Sequence, residues 1–93
     1  MPHIVRSTTL MNEFGLHARP ISKLITVMRG FQSSVVVRCG SSSANGSRML
    51  DMLQLRAAHG SEIEFTVDGD DAEAAVAALL ALVDGRFGEG PGA

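Results

Sequence analysis

Gly15-Leu16-His17-Ala18-Arg19-Pro20 is the run in this chain whose residue types and spacing can do chemistry. Behind it, Ile21, Leu24, Ile25 and Met28 recur at i, i+3, i+4 and i+7, the spacing of an amphipathic helix with one stripe toward a core. His17 then stands at the mouth of that helix. The first amides of a helix have no intrahelical acceptor and lie at the positive end of the helix dipole, so an anion beside His17 meets ready donors. Ala18 and Arg19 supply such amides. Pro20 has none, but in the first turn its missing N–H removes no intrahelical bond. Arg19 adds a permanent cation whose planar fork of donors matches phosphate oxygens. An imidazole nucleophile, a fixed cation and open amides within one helical turn are the parts needed to accept a phosphoryl group and hold it. Each part alone has an ordinary explanation, as a surface histidine or as loop-to-helix punctuation. Acid–base chemistry on a small substrate is the weaker reading, because Glu13 is the only acid close in sequence and no second nucleophile stands nearby.

The elements that must position this run follow from pattern. Residues 3–10 are short and β-branched, which predicts a first strand ending before the polar turn Asn12-Glu13. The His17 helix follows and Gly30 stops it. Val35, Val37 and Cys39 alternate with Ser34, Val36 and Arg38 as in a half-buried strand. The stretch Gly40 to Gly46 is rich in Ser and Gly, which predicts a hairpin turn and a short edge strand. Met49, Leu50, Met52, Leu53 and Leu55 predict a short helix closed before Gly60. Ile63, Phe65 and Val67 alternate with Glu62, Glu64 and Thr66 to give the clearest strand, followed by the turn Asp68-Gly69-Asp70. A last helix is predicted from Asp71 to Val83, with Val76, Leu79, Leu80 and Val83 on one face and Gly85 as its C-cap. Arg86 to Ala93 reads as a frayed tail. The order β-α-β-β-α-β-α, with alternating strands and one-sided helices, predicts an α+β open-faced sandwich with the helices on one face of the sheet.

Composition bounds the function. The 93 residues make one domain, assigned to residues 1–85, with residues 86–93 as a flexible tail. A net charge of −2, no Trp or Tyr and only four Phe give no case for nucleic-acid binding, which calls for a basic face with stacking aromatics. The single Cys39 excludes an internal disulfide and a cysteine zinc cluster, and reads as a small apolar filler in a reducing cytoplasm. No signal peptide pattern opens the sequence, and the apolar stretch Ala74 to Val83 is too short to span a bilayer, so no membrane insertion is expected. His3 and His59 have no ligand-like spacing to each other or to His17, and neither a metal nor a cofactor is expected. The methionines read as gap-fillers.

Gly-Leu-His-Ala-Arg-Pro resembles the active-site motif of the HPr family, histidine-containing phosphocarriers of the bacterial phosphoenolpyruvate-dependent phosphotransferase system, and the resemblance extends over nearly the whole chain to residue 85. It implies a four-stranded antiparallel sheet with three helices. It implies that His17 takes a phosphoryl group on Nδ1 from enzyme I and passes it to an A-type acceptor domain, with Arg19 as phosphate partner, in sugar uptake or a regulatory branch. The protein is then a carrier in a relay rather than a stand-alone enzyme, and is expected to be a monomer. Met49, Leu50 and Leu53 match the family's apolar docking patch beside the histidine, with Arg48 and Lys23 as a basic rim. The rival reading is an HPr-fold interaction module that carries no phosphate, but such relatives lack the histidine.

The chain departs from the family at the second helix. Counted without gaps from His17 to Gly60, the place of the family's regulatory serine is held by Arg48. Ser47, one residue early, restores the site only if the helix starts a residue sooner. Asp51 also replaces a residue that is usually small, and Ile21 is bulkier than the alanine often found there. These changes leave the carrier role intact and remove the expectation of a serine switch.

Overall fold

The computed structural model describes residues 2–88. The elements are β1 (His3–Thr9), α1 (Ala18–Met28), β2 (Ser34–Cys39), β3 (Ser42–Asn45), α2 (Met49–Leu53), β4 (Glu62–Asp68) and α3 (Ala72–Asp84), followed by a 3-10 turn over Arg86–Gly88. The four strands form one antiparallel sheet in the order β1-β4-β2-β3. β4 lies between β1 and β2, with His3 opposite Asp68 on one side and Ser34 opposite Asp68 on the other. Its strong alternation in sequence has this cause. Ile63, Phe65 and Val67 point to the helix side and are fully buried, while Glu62, Glu64 and Thr66 line the open face. The Ser-rich β3 is the edge, joined to β2 by the two-residue turn Gly40-Ser41, with Gly40 at φ +62° where glycine fits without steric cost.

Helix α1 buries Pro20, Ile21, Leu24 and Met28. Helix α3 buries Ala72, Ala75, Val76, Leu79 and Val83, its alanines allowing close approach to the sheet. Ile25 and Leu80, both predicted on core stripes, are half-buried at the margin of that core. Met28 and Met52 fill the interior, and Cys39 packs half-buried beside it.

One expectation is corrected. Arg86 to Gly88 are not part of a frayed tail: Phe87 is among the largest fully buried side chains, and the Lys23 ammonium donates to its carbonyl. A single aromatic in a glycine-rich stretch carries this segment back onto the core, where burying such a side chain is worth about 1.5–3 kcal/mol. The rest of the expected tail, residues 89–93, lies outside the described residues.

The N-cap of α3 is Asp71, whose carboxylate makes no capping bond to its own helix. It accepts hydrogen bonds from the Gln32 amide (2.8 Å), the Ser33 amide (3.0 Å) and the Ser33 hydroxyl (2.5 Å), clamping the turn between α1 and β2. The Ser33 hydroxyl, followed by the Gln32 amide, holds the Asp71 carboxyl below its ordinary acidity range. Gly69 permits the approach, since a Cβ there would meet the Ser33 hydroxyl oxygen at 2.3 Å.

Candidate functional site

The loop that presents His17 is fixed from behind before α1 begins. Asn12 is buried, and its side-chain amide donates to the Gly15 carbonyl at 2.7 Å while the Gly15 amide donates to the Asn12 carbonyl at 3.2 Å. Gly15 sits at φ +63°, and a Cβ there would lie 2.3 Å from the Ala57 carbonyl oxygen. Glycine is required on both counts. The next amide, from Leu16, donates to that same Ala57 carbonyl at 2.8 Å, and the Leu16 side chain is buried in the core. Bonds from Leu10 to Ser61 (2.9 Å) and from Gly60 to Leu10 (2.8 Å) tie the start of the loop to the same segment. Residues 57–61, which follow α2, are therefore the platform on which the His17 loop rests.

His17 is the N-cap of α1, with extended backbone angles of φ −125° and ψ −172°, and its side chain makes no capping bond to the helix. Its carbonyl accepts the first helical bond, from Ile21 at 3.1 Å. Ala18 and Arg19 occupy the first two helical positions, whose amides have no intrahelical acceptor. Pro20 occupies the third, buried, where its ring costs no bond. Arg19 is exposed, and His17 is half-buried. The ring of Phe14 meets the imidazole edge-on, with centroids 6.0 Å apart and planes at 89°. Imidazole, two open amides and guanidinium thus stand on consecutive residues at the positive end of an eleven-residue helix.

α2 packs beside α1. Leu50 is 74% exposed, while Met49 and Leu53 are half-buried and Met52 is fully buried. The helix thus divides its apolar residues between the core and an open surface. Arg48 is the N-cap of α2 and is exposed, but caps with no side-chain bond. Ser47 lies one residue before it, and its hydroxyl donates to the Asn45 side-chain oxygen at 2.7 Å, which also accepts the Ser47 amide at 2.9 Å. Asp51, in the first turn of α2, accepts from the Asn45 amide at 3.4 Å. An acid in the first turn is favoured by the helix dipole. The two expected rim cations differ: Arg48 is exposed, whereas the ammonium of Lys23 is engaged by the Phe87 carbonyl at the C-terminal turn.

The other histidines stand apart in role. His3 pairs with Asp68 across β1 and β4, both side chains about half exposed. His59 is exposed on the platform segment. Among the described residues no group of three or more His, Cys, Asp or Glu is placed to hold a metal ion, and no helix is long and apolar enough to cross a membrane.

Sequence reasoning missed Asn12, Phe14 and the Ala57-Ala58 backbone. Asn12 carried a signal in its three-residue spacing to Gly15, the pattern of a side chain that closes a turn. The platform carried none, since it acts through backbone that any small residue provides.

The arrangement is that of a small α+β domain presenting a histidine at an open helix start, and the comparisons agree. The family described as PTS HPr component phosphorylation site matches residues 4–84. The chain belongs to that family, the phosphocarriers of the phosphotransferase system. It is 38% identical to Phosphocarrier protein HPr of Cupriavidus necator over 85 residues, covering 91% of this chain and 96% of that one. It is 35% identical to Phosphocarrier protein NPr of Shewanella violacea over 89 residues, covering 96% of this chain and 98% of the relative. A crystal structure of HPr-C-His from Thermoanaerobacter tengcongensis superposes with a TM-score of 0.88 at 27% identity, over 98% of this chain and all of that one.

Proposed function

We propose that this protein relays a phosphoryl group through His17, taking it from phosphorylated enzyme I and passing it to an A-type acceptor domain. The observation that carries the reading is the placement of His17 as N-cap of α1, its side chain not spent on capping, with the exposed Arg19 two residues on. Transfer is displacement at phosphorus. The lone pair of the acceptor nitrogen, Nδ1 by family resemblance, forms the new N–P bond as the donor's N–P bond breaks and its electron pair returns to the donor ring. Each imidazole keeps the proton on its other nitrogen, so the step needs no external acid or base.

A carrier must hold the group without trapping it. The amides of Ala18 and Arg19 and the Arg19 guanidinium offset the added charge, yet they remain solvated at the surface, where such contacts are modest. Donor and acceptor dock on the apolar surface of Met49, Leu50 and Leu53, with Arg48 as the cation that steers acidic partners. Lys23, already bonded to the Phe87 carbonyl, contributes less to that rim than its sequence position implies. Every group in this reading comes from one chain, which fits action as a monomer. The acceptor sets whether the relay serves sugar uptake or a regulatory branch.

The test is phosphoenolpyruvate with purified enzyme I, read by intact-protein mass. One phosphoryl group is expected, labile to acid and stable to alkali as a phosphoramidate is, and absent in His17→Ala. Labelling that persists in His17→Ala, or that maps to His3 or His59, overturns the assignment. A module that only binds partners gives no adduct at all.

A further inference from the structure

Phe14 is 64% exposed, so the core does not explain it. Its backbone is nevertheless enclosed by a braced turn. It lies within the turn closed by the Gly15 amide on the Asn12 carbonyl, and the buried Asn12 side chain and the left-handed Gly15 brace that turn against Ala57. A rigid mount thus carries a rigid side chain with two rotatable bonds, and that side chain meets the imidazole of His17 in a perpendicular arrangement, centroids 6.0 Å apart at 89°. Perpendicular aromatic pairs at this separation are attractive beyond the area they bury.

We propose that Phe14 is a positioning residue for His17: its ring, fixed by the Asn12–Gly15 turn, restricts the imidazole to the rotation in which one nitrogen faces incoming phosphorus. The proposal rests on the relay role of His17 and adds a residue to it. In-line displacement forms the new N–P bond along the axis on which the old one breaks, so a ring that rotates freely spends part of its time with its lone pair off that axis. The aromatic pair narrows this distribution, and the closed turn that carries Phe14 keeps its backbone in place for that contact. The phosphoryl group does not touch Phe14 in this account, and the residue acts only through the imidazole.

The experiment compares Phe14→Ala and Phe14→Tyr with the unaltered chain. First, side-chain couplings of His17 are measured by NMR in the unphosphorylated protein, where averaging over rotamers is expected to increase in Phe14→Ala and to return to the original value in Phe14→Tyr. This arm does not depend on phosphotransfer, so it separates failure of the positioning contact from failure of the relay reading. Second, with phosphoenolpyruvate and enzyme I, Phe14→Ala is expected to lower kcat by about three- to tenfold at unchanged KM, the range that an aromatic pair's contribution supplies. Phe14→Tyr is expected to restore it. Unchanged His17 couplings in Phe14→Ala overturn the proposal. A rise in KM at constant kcat also overturns it, by making Phe14 a contact for the partner instead.

Discussion

Two helices that pack against each other in this molecule have starts finished in opposite ways. At α1 the N-cap side chain is an imidazole that does not cap, and the first two amides face no intrahelical acceptor. At α2 the approach is occupied by its own side chains: Asn45 binds the amide and hydroxyl of Ser47, and Asp51 reaches back to the Asn45 amide. The first start is open to an outside anion. The second has a carboxylate already present and an arginine as N-cap. α3 provides a reference for what capping residues do when no ligand is involved, since Asp71 turns away from its helix and clamps the preceding turn. The positive end of a helix is therefore not a site in itself. In the proposed reading it becomes one at α1, where the platform at Ala57 holds the loop while the first helical amides stay open.

The comparison is broken most strongly at Arg19. If the α1 start is outfitted for phosphate, Arg19→Ala slows transfer from enzyme I by more than about tenfold, because a charge-assisted bond is worth about 1.5–3 kcal/mol. The thermal midpoint should barely move, as for exposed substitutions whose effects stay within about 0.5 kcal/mol. Rapid-quench transfer kinetics and a melting curve on the same sample check both. Normal transfer by an unstable variant would assign Arg19 to the fold.

A smaller effect is expected beside it, on α2. Leu50→Asp places a charge on an exposed residue of the proposed docking surface, and is expected to raise KM toward donor and acceptor by about fivefold or more, an effect typical of an interface anchor. The neighbouring Met52→Asp instead unfolds the protein, because that side chain is fully buried. Titrating enzyme I against both variants, with circular dichroism to monitor folding, separates surface from core. Loss of fold in Leu50→Asp would move that residue into the core.

How much of this was legible in the sequence depended on whether a residue acts through periodicity or through a partner far along the chain. β4 was plain because both its neighbours are strands and one face is fully buried, so alternation had to be strict. The helix start that carries His17 and Arg19 was legible because a helix start is a local event. Phe87 was not, since its glycine-rich surroundings give no period and its burial depends on a core assembled from residues 10–83. Asp71 was missed as a fastener for a similar reason: it acts on Ser33 across 38 residues, and only the folded sheet brings them together. Asn12 differs, because its bond to Gly15 spans three residues and was open to local reading. Lys23 looked like a rim cation until the C-terminal turn supplied its acceptor.

The Asp71 clamp gives a prediction smaller still. Its carboxyl is held below the ordinary value, so the clamp contributes fully above the unfolded-state pKa of about 3.9 and fades as pH falls through the lower folded-state value. Asp71→Ala should lower the thermal midpoint at pH 7, and the gap between variant and unaltered chain should close below about pH 4. Transfer at pH 7 should be unaffected, because α3 begins away from His17. A gap that persists unchanged into strong acid would show that the carboxylate charge is not what holds the turn.

The smallest expected effect is none, and it bears directly on the α2 start. A phosphoserine at the N-cap of this helix would bring a charge of about −1.5 to −2 to the helix that carries the proposed docking surface, and weaken partner binding. Arg48 occupies that N-cap, in extended conformation, with Met49 as the first helical residue. The helix has therefore not started early to bring Ser47 into place, and the Ser47 hydroxyl is already bonded to Asn45. A kinase that reads a serine at the helix start finds an arginine there. The serine before it faces Asn45, whose own backbone amide is held by Asp51. Incubation with an HPr serine kinase and ATP is expected to give no stoichiometric label, and the carrier's transfer rate is expected to be the same before and after. Label that appears in full and vanishes in Ser47→Ala would mean that the turn at Asn45 opens to the kinase. It would also mean that the closed start of α2 is a switch held shut rather than a site that has been lost.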